Sequence, residues 1–357
     1  MISELYIEAY RGIRNLDLKD LGKINILAGA NNVGKTSILE VIRSLEAPND
    51  LMKWRKISRR EEIDVITNAY DAIKALFPIN VGSENRRIHY YGKSNEKDFD
   101  VEIIARIYET IITRREKSNI QEDYFINREF ETAVMDLQYN INGKLQGNSK
   151  IVSIENSGST DIYNDSIVKI EENIVYVSPV QHTQNKFFLD AFMVNPELYE
   201  QFINLMKQFD SGFISINAVG EEKTIGRNYV VLSKNHKEGL LLNSYGDGMK
   251  KAMLLLSAVI KAKDGILLLD EFETAIHISA MKDVFHWIME TAQQLNVQIF
   301  MTSHSIEAIE TVLKCCPSLQ KDIRMVTLVN VNDELKVRNV DGEKAVQLLD
   351  EYGLELR

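Results

Sequence analysis

Apolar positions change rhythm along the chain, and the changes sketch its elements. Over residues 2–9, Ile2, Leu5, Ile7 and Ala9 alternate well enough for a half-buried strand, which Arg11-Gly12 breaks. Residues 24–28 form a short apolar run of the kind found in buried parallel strands. A glycine-bearing loop follows, and 37–42 then space their apolar residues helically. The order is strand, loop, helix. From about 50 to 170 this regularity fades. A helix is expected over 61–77 and strands over 98–107 and 150–154, with polar loop tips at 147–149 and 156–160. Residues 174–178 return to a buried-strand pattern, and 185–210 read as helical. The last third is regular again. Helices are expected over 250–261 and 278–295 and strands over 265–270 and 297–302. A hairpin over 325–331 and 334–337, turning at Asn332 and Asp333, precedes a helix over 342–351. The pattern predicts an α/β core of 1–49 and 171–357 with a helical elaboration at about 183–240, and an α+β insertion over 50–170. No internal repeat or low-complexity linker interrupts it.

Composition narrows the class. The 357 residues are 45% hydrophobic and 26% charged, as in a folded protein with a sizeable core. No apolar run reaches the length of a membrane span, and Met1-Ile2-Ser3-Glu4-Leu5 lacks a secretory pattern, so a cytoplasmic location without membrane contact is expected. The two cysteines, Cys315 and Cys316, are adjacent and read as reduced thiols at a helix end, without metal-ligand spacing around them. A net charge of −10 argues against a broadly basic, nucleic-acid-coating surface. The basic runs at 53–56 and 114–117 read as solvated helix faces.

The candidate chemistry begins at Gly29-Ala30-Asn31-Asn32-Val33-Gly34-Lys35-Thr36, followed by Ser37, which satisfies G-x-x-x-x-G-K-[ST] between a strand and a helix. The glycines let backbone N–H groups curl inward toward a nucleotide phosphate, and the helix start adds its positive dipole end. Lys35 supplies a point charge for the β- and γ-phosphates, and Thr36 a hydroxyl for Mg²⁺. Alone, this loop specifies ATP or GTP and no reaction. The apolar strand 266–269 runs into Asp270 and Glu271. Asp270 is suited to the magnesium shell and Glu271 to polarising an attacking water. A second buried strand ends in Ser303-His304-Ser305, where His304 can sense a γ-phosphate. Ser244, Gly246 and Gly248 open the helix before the acidic strand, either as a helix cap with a glycine-rich approach or as a second anion site.

This ordered set resembles the ABC-type P-loop ATPase head, with a mixed central sheet flanked by helices. Glu273-Thr274-Ala275-Ile276-His277, the loop G-A-N-N-V-G-K-T-S and Ala9-Tyr10-Arg11-Gly12-Ile13 look like OLD-family and related AAA-type, SMC-like ATPases. The resemblance implies ATP hydrolysis with Mg²⁺ and head-to-tail dimers, or higher homo-oligomers, with ATP sandwiched between heads. In it, Ser244, Gly246 and Gly248 close on a partner subunit's γ-phosphate, His304 is the switch histidine, and residues 274–277 cross the dimer. Arg11 becomes a phosphate-contacting candidate, and Gln181, with Gln184 close behind, the magnesium glutamine. The signature reads Ser-Tyr-Gly-Asp-Gly rather than the transporter Ser-Gly-Gly-Gln. Only 53 residues follow His304, too few for a Toprim nuclease domain. A stand-alone ATPase is therefore expected, controlling a Toprim or other nuclease or toxin effector from a neighbouring gene, in the manner of antiphage defence. A RecF-like DNA-repair ATPase that binds DNA ends or junctions is the alternative.

Overall fold

A computed structural model of the chain describes residues 1–58, 69–78, 85–117, 125–153, 159–163, 166–184, 187–219, 228–332 and 334–352. In chain order its early strands are β1 (Ile2–Tyr10), β2 (Ile13–Leu18), β3 (Ile24–Gly29), β4 (Asn85–Ser94), β5 (Lys97–Lys117) and β6 (Phe125–Ile141). Next come β7 (Lys144–Val152), β8 (Ser159–Tyr163), β9 (Ile174–Val177), β10 (Phe213–Val219), β11 (Asn228–Ser233) and β12 (Leu240–Leu241). The last four are β13 (Ile266–Leu269), β14 (Gln298–Thr302), β15 (Ile323–Val331) and β16 (Glu334–Asp341). The helices are α1 (Lys35–Ser44), α2 (Leu51–Ser58), α3 (Ala69–Lys74), α4 (Pro196–Met206), α5 (Asp247–Lys261), α6 (Ile278–Gln294), α7 (Ile306–Cys315) and α8 (Gly342–Tyr352).

The chain divides into two compact units, one of residues 1–4, 18–39 and 171–357, the other of 5–17 and 40–170. The first is built on a six-stranded sheet in the order β16-β15-β3-β14-β13-β9. All its neighbours are parallel except the β15–β16 hairpin. Strands β3, β9, β13 and β14 are buried at every residue, as expected for parallel strands covered on both faces. Register aligns their C-terminal ends: Leu269 lies beside Val177 and Met301, and Met301 beside Ile26. The residues that follow β3, β9, β13 and β14 therefore emerge along one sheet edge, where ligands of open α/β sheets sit. Helix α5 is buried over nearly its whole length, and α6 and α7 present buried faces to the same core.

The expected helical elaboration at 183–240 is only partly helical. Two short 3₁₀ turns and α4 are followed by the antiparallel sheet β10-β11-β12. Phe213, Ile214 and Ile216, and Tyr229, Val230 and Val231, are aromatic or β-branched residues that favour strand, and they override the helical reading of the segment.

The second unit holds a seven-stranded sheet ordered β2-β1-β4-β5-β6-β7-β8, with β4 through β8 antiparallel. Its long ribbon pairs β5 with β6 from Val101 opposite Ile141 to Lys117 opposite Phe125. The basic run 114–117 thus belongs to a strand rather than a helix; 53–56 does lie in α2. Contacts divide the chain inside α1, after Leu39, and carry 5–17 with the second unit, so that unit is larger than the 50–170 block expected from the sequence. The helix expected over 61–77 lies outside the described residues as far as 68; beyond it stands α3. No helix among the described residues is long and apolar enough to cross a membrane.

Candidate active site

The phosphate-loop motif spans the end of β3 and the start of α1. Gly29 has φ +144° and Gly34 φ +104°, and a Cβ on Gly29 would stand 2.5 Å from the Leu328 carbonyl oxygen. Glycine is therefore demanded there by both backbone conformation and space. Asn32 takes a left-handed φ of 61°, a conformation asparagine tolerates. Asn31 and Asn32 are exposed, Val33 is half-buried, and Ser37 is buried in the first turn of α1.

Lys35 reaches back over the loop. Its Nζ donates to the Gly29 and Ala30 carbonyls at 2.7 and 2.8 Å and lies 3.2 Å from His304 Nδ1. An ammonium can only donate, so Nδ1 accepts and the imidazole proton sits on Nε2. That Nε2 faces Glu271 Oε1 at 3.6 Å. Burial lowers the Lys35 ammonium from its ordinary value, against the pull of the Asp270, Glu271 and Glu273 carboxylates.

Asp270 is the hub of the opposite side. Its Oδ1 accepts from Thr302 Oγ1 at 2.7 Å and from Thr36 Oγ1 at 3.1 Å, and its Oδ2 from Tyr176 OH at 3.1 Å. A hydroxyl and a carboxylate held together are hard oxygen donors of the type Mg²⁺ takes, so these residues fit that ion. Thr302 also accepts the Glu271 amide at 2.8 Å, and Glu271 adopts φ 45° immediately after the strand. Few residues other than glycine occupy that region, which turns the Glu271 side chain away from the strand direction.

Four of these contributors escape motif reading. Thr302 and Tyr176 reach Asp270 only through sheet register. Glu273 Oε1 accepts the His304 amide at 2.9 Å, while its Oε2 is buried without a hydrogen-bond partner. Lys251, on α5, is fully buried; its Nζ lies 3.4 Å from the Pro179 carbonyl. Burial pushes Lys251 down to about 8, opposed by Glu273, Asp270 and Glu271. The sequence offered no distinctive signal for it, since Lys251 directly follows Lys250 and precedes the apolar stretch Ala252–Leu256.

The remaining candidates come from other segments of the chain. Ser244 and Gly246 are exposed just before α5, and Gly246, at its N-cap, has φ −66°, no side-chain cap and nothing within 4 Å of a Cβ position. Gly248 is tighter, 3.2 Å from the Ala275 carbonyl in the loop 274–277. Gln181 is buried in a 3₁₀ turn with Oε1 accepting the Ser178 amide at 3.4 Å, and Gln184 ends the same turn. Arg11 belongs to the second unit, where it forms a forked pair with Glu40 at 2.7 and 3.1 Å; Tyr10 OH donates to the same carboxylate at 3.0 Å. Glu40 is buried, and Arg11 offsets its charge.

Comparison with known proteins adds the following. Residues 24–310 match the family model described as "AAA domain, putative AbiEii toxin, Type IV TA system". The chain is 22% identical over 343 residues to an "ATP/GTP phosphatase" of Helicobacter pylori, covering 87% of each chain. It is 24% identical over 361 residues to the DNA replication and repair protein RecF of Rickettsia typhi, covering 87% of this chain and 96% of that one. Among solved structures, an Smc head domain from Pyrococcus furiosus, with an extended coiled coil and bound to the C-terminal domain of ScpA, aligns over 99% of each chain at TM-score 0.47 and 13% identity.

Proposed function

The chain belongs to the family described as AAA domain, putative AbiEii toxin, Type IV TA system, an ABC/SMC-like ATPase group, and from that premise we propose that it hydrolyses ATP in a site completed by a second copy of itself. The observation that carries this reading is the continuous set of contacts Lys35–His304–Glu271 and Thr36–Asp270–Thr302 at one sheet edge. Lys35 and the amides of 29–36 bind the phosphates. Thr36 and Asp270 would hold Mg²⁺, whose charge would offset that of the phosphates. Glu271 accepts a proton from the attacking water. His304, with its proton on Nε2, donates toward the γ-phosphate, and Glu273 fixes it through its backbone amide. Gln181 would contribute an amide oxygen to the magnesium shell.

The exposed, uncapped start of α5 supports contribution in trans. Its first N–H groups lack partners within the helix, and Gly246 is not required by anything packed against it, so its bareness suits a phosphate from outside the chain. Such a dimer would couple ATP occupancy to a separate effector, and the family description, which names a toxin and a TA system, supports a defence-type role.

Glu271→Gln should retain ATP binding and lose hydrolysis by about 100-fold or more, within the range of a lost general base, in a phosphate-release assay. Hydrolysis at the parent rate would remove Glu271 from this role. Lys35→Ala should abolish nucleotide binding. The near-full-length similarity to RecF favours a second reading, DNA-end or junction binding. Salt-sensitive affinity of the isolated chain for a duplex with a single-stranded tail would support it, and a lack of affinity would leave the effector reading.

A further inference from the structure

Away from the nucleotide site, α6 and the end of α7 bring together three side chains with metal-ligand chemistry. His286 and Glu290 stand four residues apart on one face of α6, and Cys316 is the cap residue immediately after α7. A ring nitrogen of His286, a carboxylate oxygen of Glu290 and the sulfur of Cys316 all lie within 4.8 Å of one another. Ligand bonds of about 2.0–2.3 Å place neighbouring tetrahedral ligands roughly 3.5 Å apart. Small rotations of the two exposed side chains would close the set.

The hydrogen bonding selects the atom that faces the cluster. His286 Nδ1 lies 3.0 Å from the Cys315 carbonyl oxygen, which can only accept. Nδ1 therefore carries the proton, and a neutral ring presents a lone pair on Nε2. That lone pair meets Glu290 Oε1 at 3.4 Å, acceptor against acceptor. A positive charge between them, whether a second ring proton or a bound metal ion, satisfies both atoms. A histidine that donates its second nitrogen to a backbone carbonyl is also the usual outer support of a metal-bound imidazole. His286 and Glu290 side chains are 45% and 52% exposed, leaving a path from solvent, whereas Cys316 is buried.

We propose that His286, Glu290 and Cys316 bind a zinc-like divalent transition ion, with water as fourth ligand, clamping α6 to the end of α7. Imidazole, carboxylate and thiolate together select such an ion over Mg²⁺ or Ca²⁺. Binding deprotonates Cys316 and releases that proton to solvent, so affinity rises with pH. Cys315 takes no part: its sulfur is turned to the Val312 carbonyl at 3.2 Å and to Met289 Sδ at 3.7 Å.

The test is titration of the nucleotide-free full chain with Co²⁺, followed by absorption. A thiolate-to-cobalt charge-transfer band should saturate at one equivalent and disappear when Zn²⁺ is added. Cys316→Ser should lose the band, and Cys315→Ser should keep it. His286→Ala, which removes the hydrogen bond to the Cys315 carbonyl but no core side chain, should weaken Co²⁺ at least about tenfold, the loss that even an outer partner's removal produces. It should also cancel the rise in thermal midpoint that Zn²⁺ gives the parent. The nucleotide site offers no thiolate, so cobalt bound there is silent in this band. Absence of the band, its survival in Cys316→Ser, or unchanged affinity in His286→Ala would reduce the cluster to a surface ion pair beside a buried thiol.

Discussion

Single positions differ in who makes the demand on them. At Gly29 the chain itself makes it, through φ +144° and the Leu328 carbonyl 2.5 Å from any Cβ. Gly29→Ala should therefore lower the thermal midpoint even without nucleotide, by a stability loss of more than about 2 kcal/mol from backbone strain and overlap together. A midpoint within a degree of the parent would show that the loop has another accessible form. At this scale Lys35, Thr36, Asp270, Glu271 and His304 were legible from spacing, because each is delivered by the end of a strand or the start of a helix. Thr302, Tyr176, Glu273 and Lys251 were not. Tyr176, 94 positions before Asp270, meets its carboxylate only because β9 is laid beside β13. For Arg11 the sequence marked the turn but not its partner Glu40, 29 positions on.

Elements were legible where one rhythm persisted. Strands β3, β13 and β14 and helices α5 and α6 follow from apolar runs and helical spacing, since burial on both faces or on one face leaves that imprint. The segment 183–240 was harder, because β10 and β11 are short and half-exposed, with hydrophobic residues such as Ile214 and Leu232 on the open face. Helix α5 carries the clearest test of an element's interior. The Lys251 ammonium lies at about 8 when folded and near 10.4 in an unfolded chain, so between these values the unfolded state binds more protons and stability rises with pH. Below about pH 8 both states are charged and the burial cost is fully present. Relative to Lys251→Met, the parent should gain thermal midpoint as pH is raised from 8 to 10. A pH-independent difference would mean that the neighbouring carboxylates hold Lys251 charged throughout.

For the whole molecule, the expected division at residue 49 followed the loss of a regular pattern, whereas contacts divide the chain at Leu39 and recruit 5–17 to the second unit. Nothing in local rhythm records which of two sheets a strand such as β1 will join. Self-association is the prediction proper to this scale. In a Glu271→Gln background, ATP should shift the sedimentation coefficient from monomer to dimer. Adding Gly246→Ala should abolish that shift while leaving monomer stability within about 0.5 kcal/mol, since the new methyl meets nothing within 4 Å and φ −66° suits alanine. An undiminished dimer would move the trans contact away from the start of α5.

The hydrogen bonding of Lys35 has a kinetic meaning. Two loop carbonyls and the His304 ring together saturate the three protons of its ammonium. An arriving phosphate must evict at least one of them, and a departing phosphate is replaced as it leaves. On the proposed reading, nucleotide capture would be a partner exchange rather than the filling of an open charge, moderating affinity at the loop and easing the exit of spent nucleotide. If the phosphate takes the place of His304, the freed ring carries news of its arrival directly to Glu271.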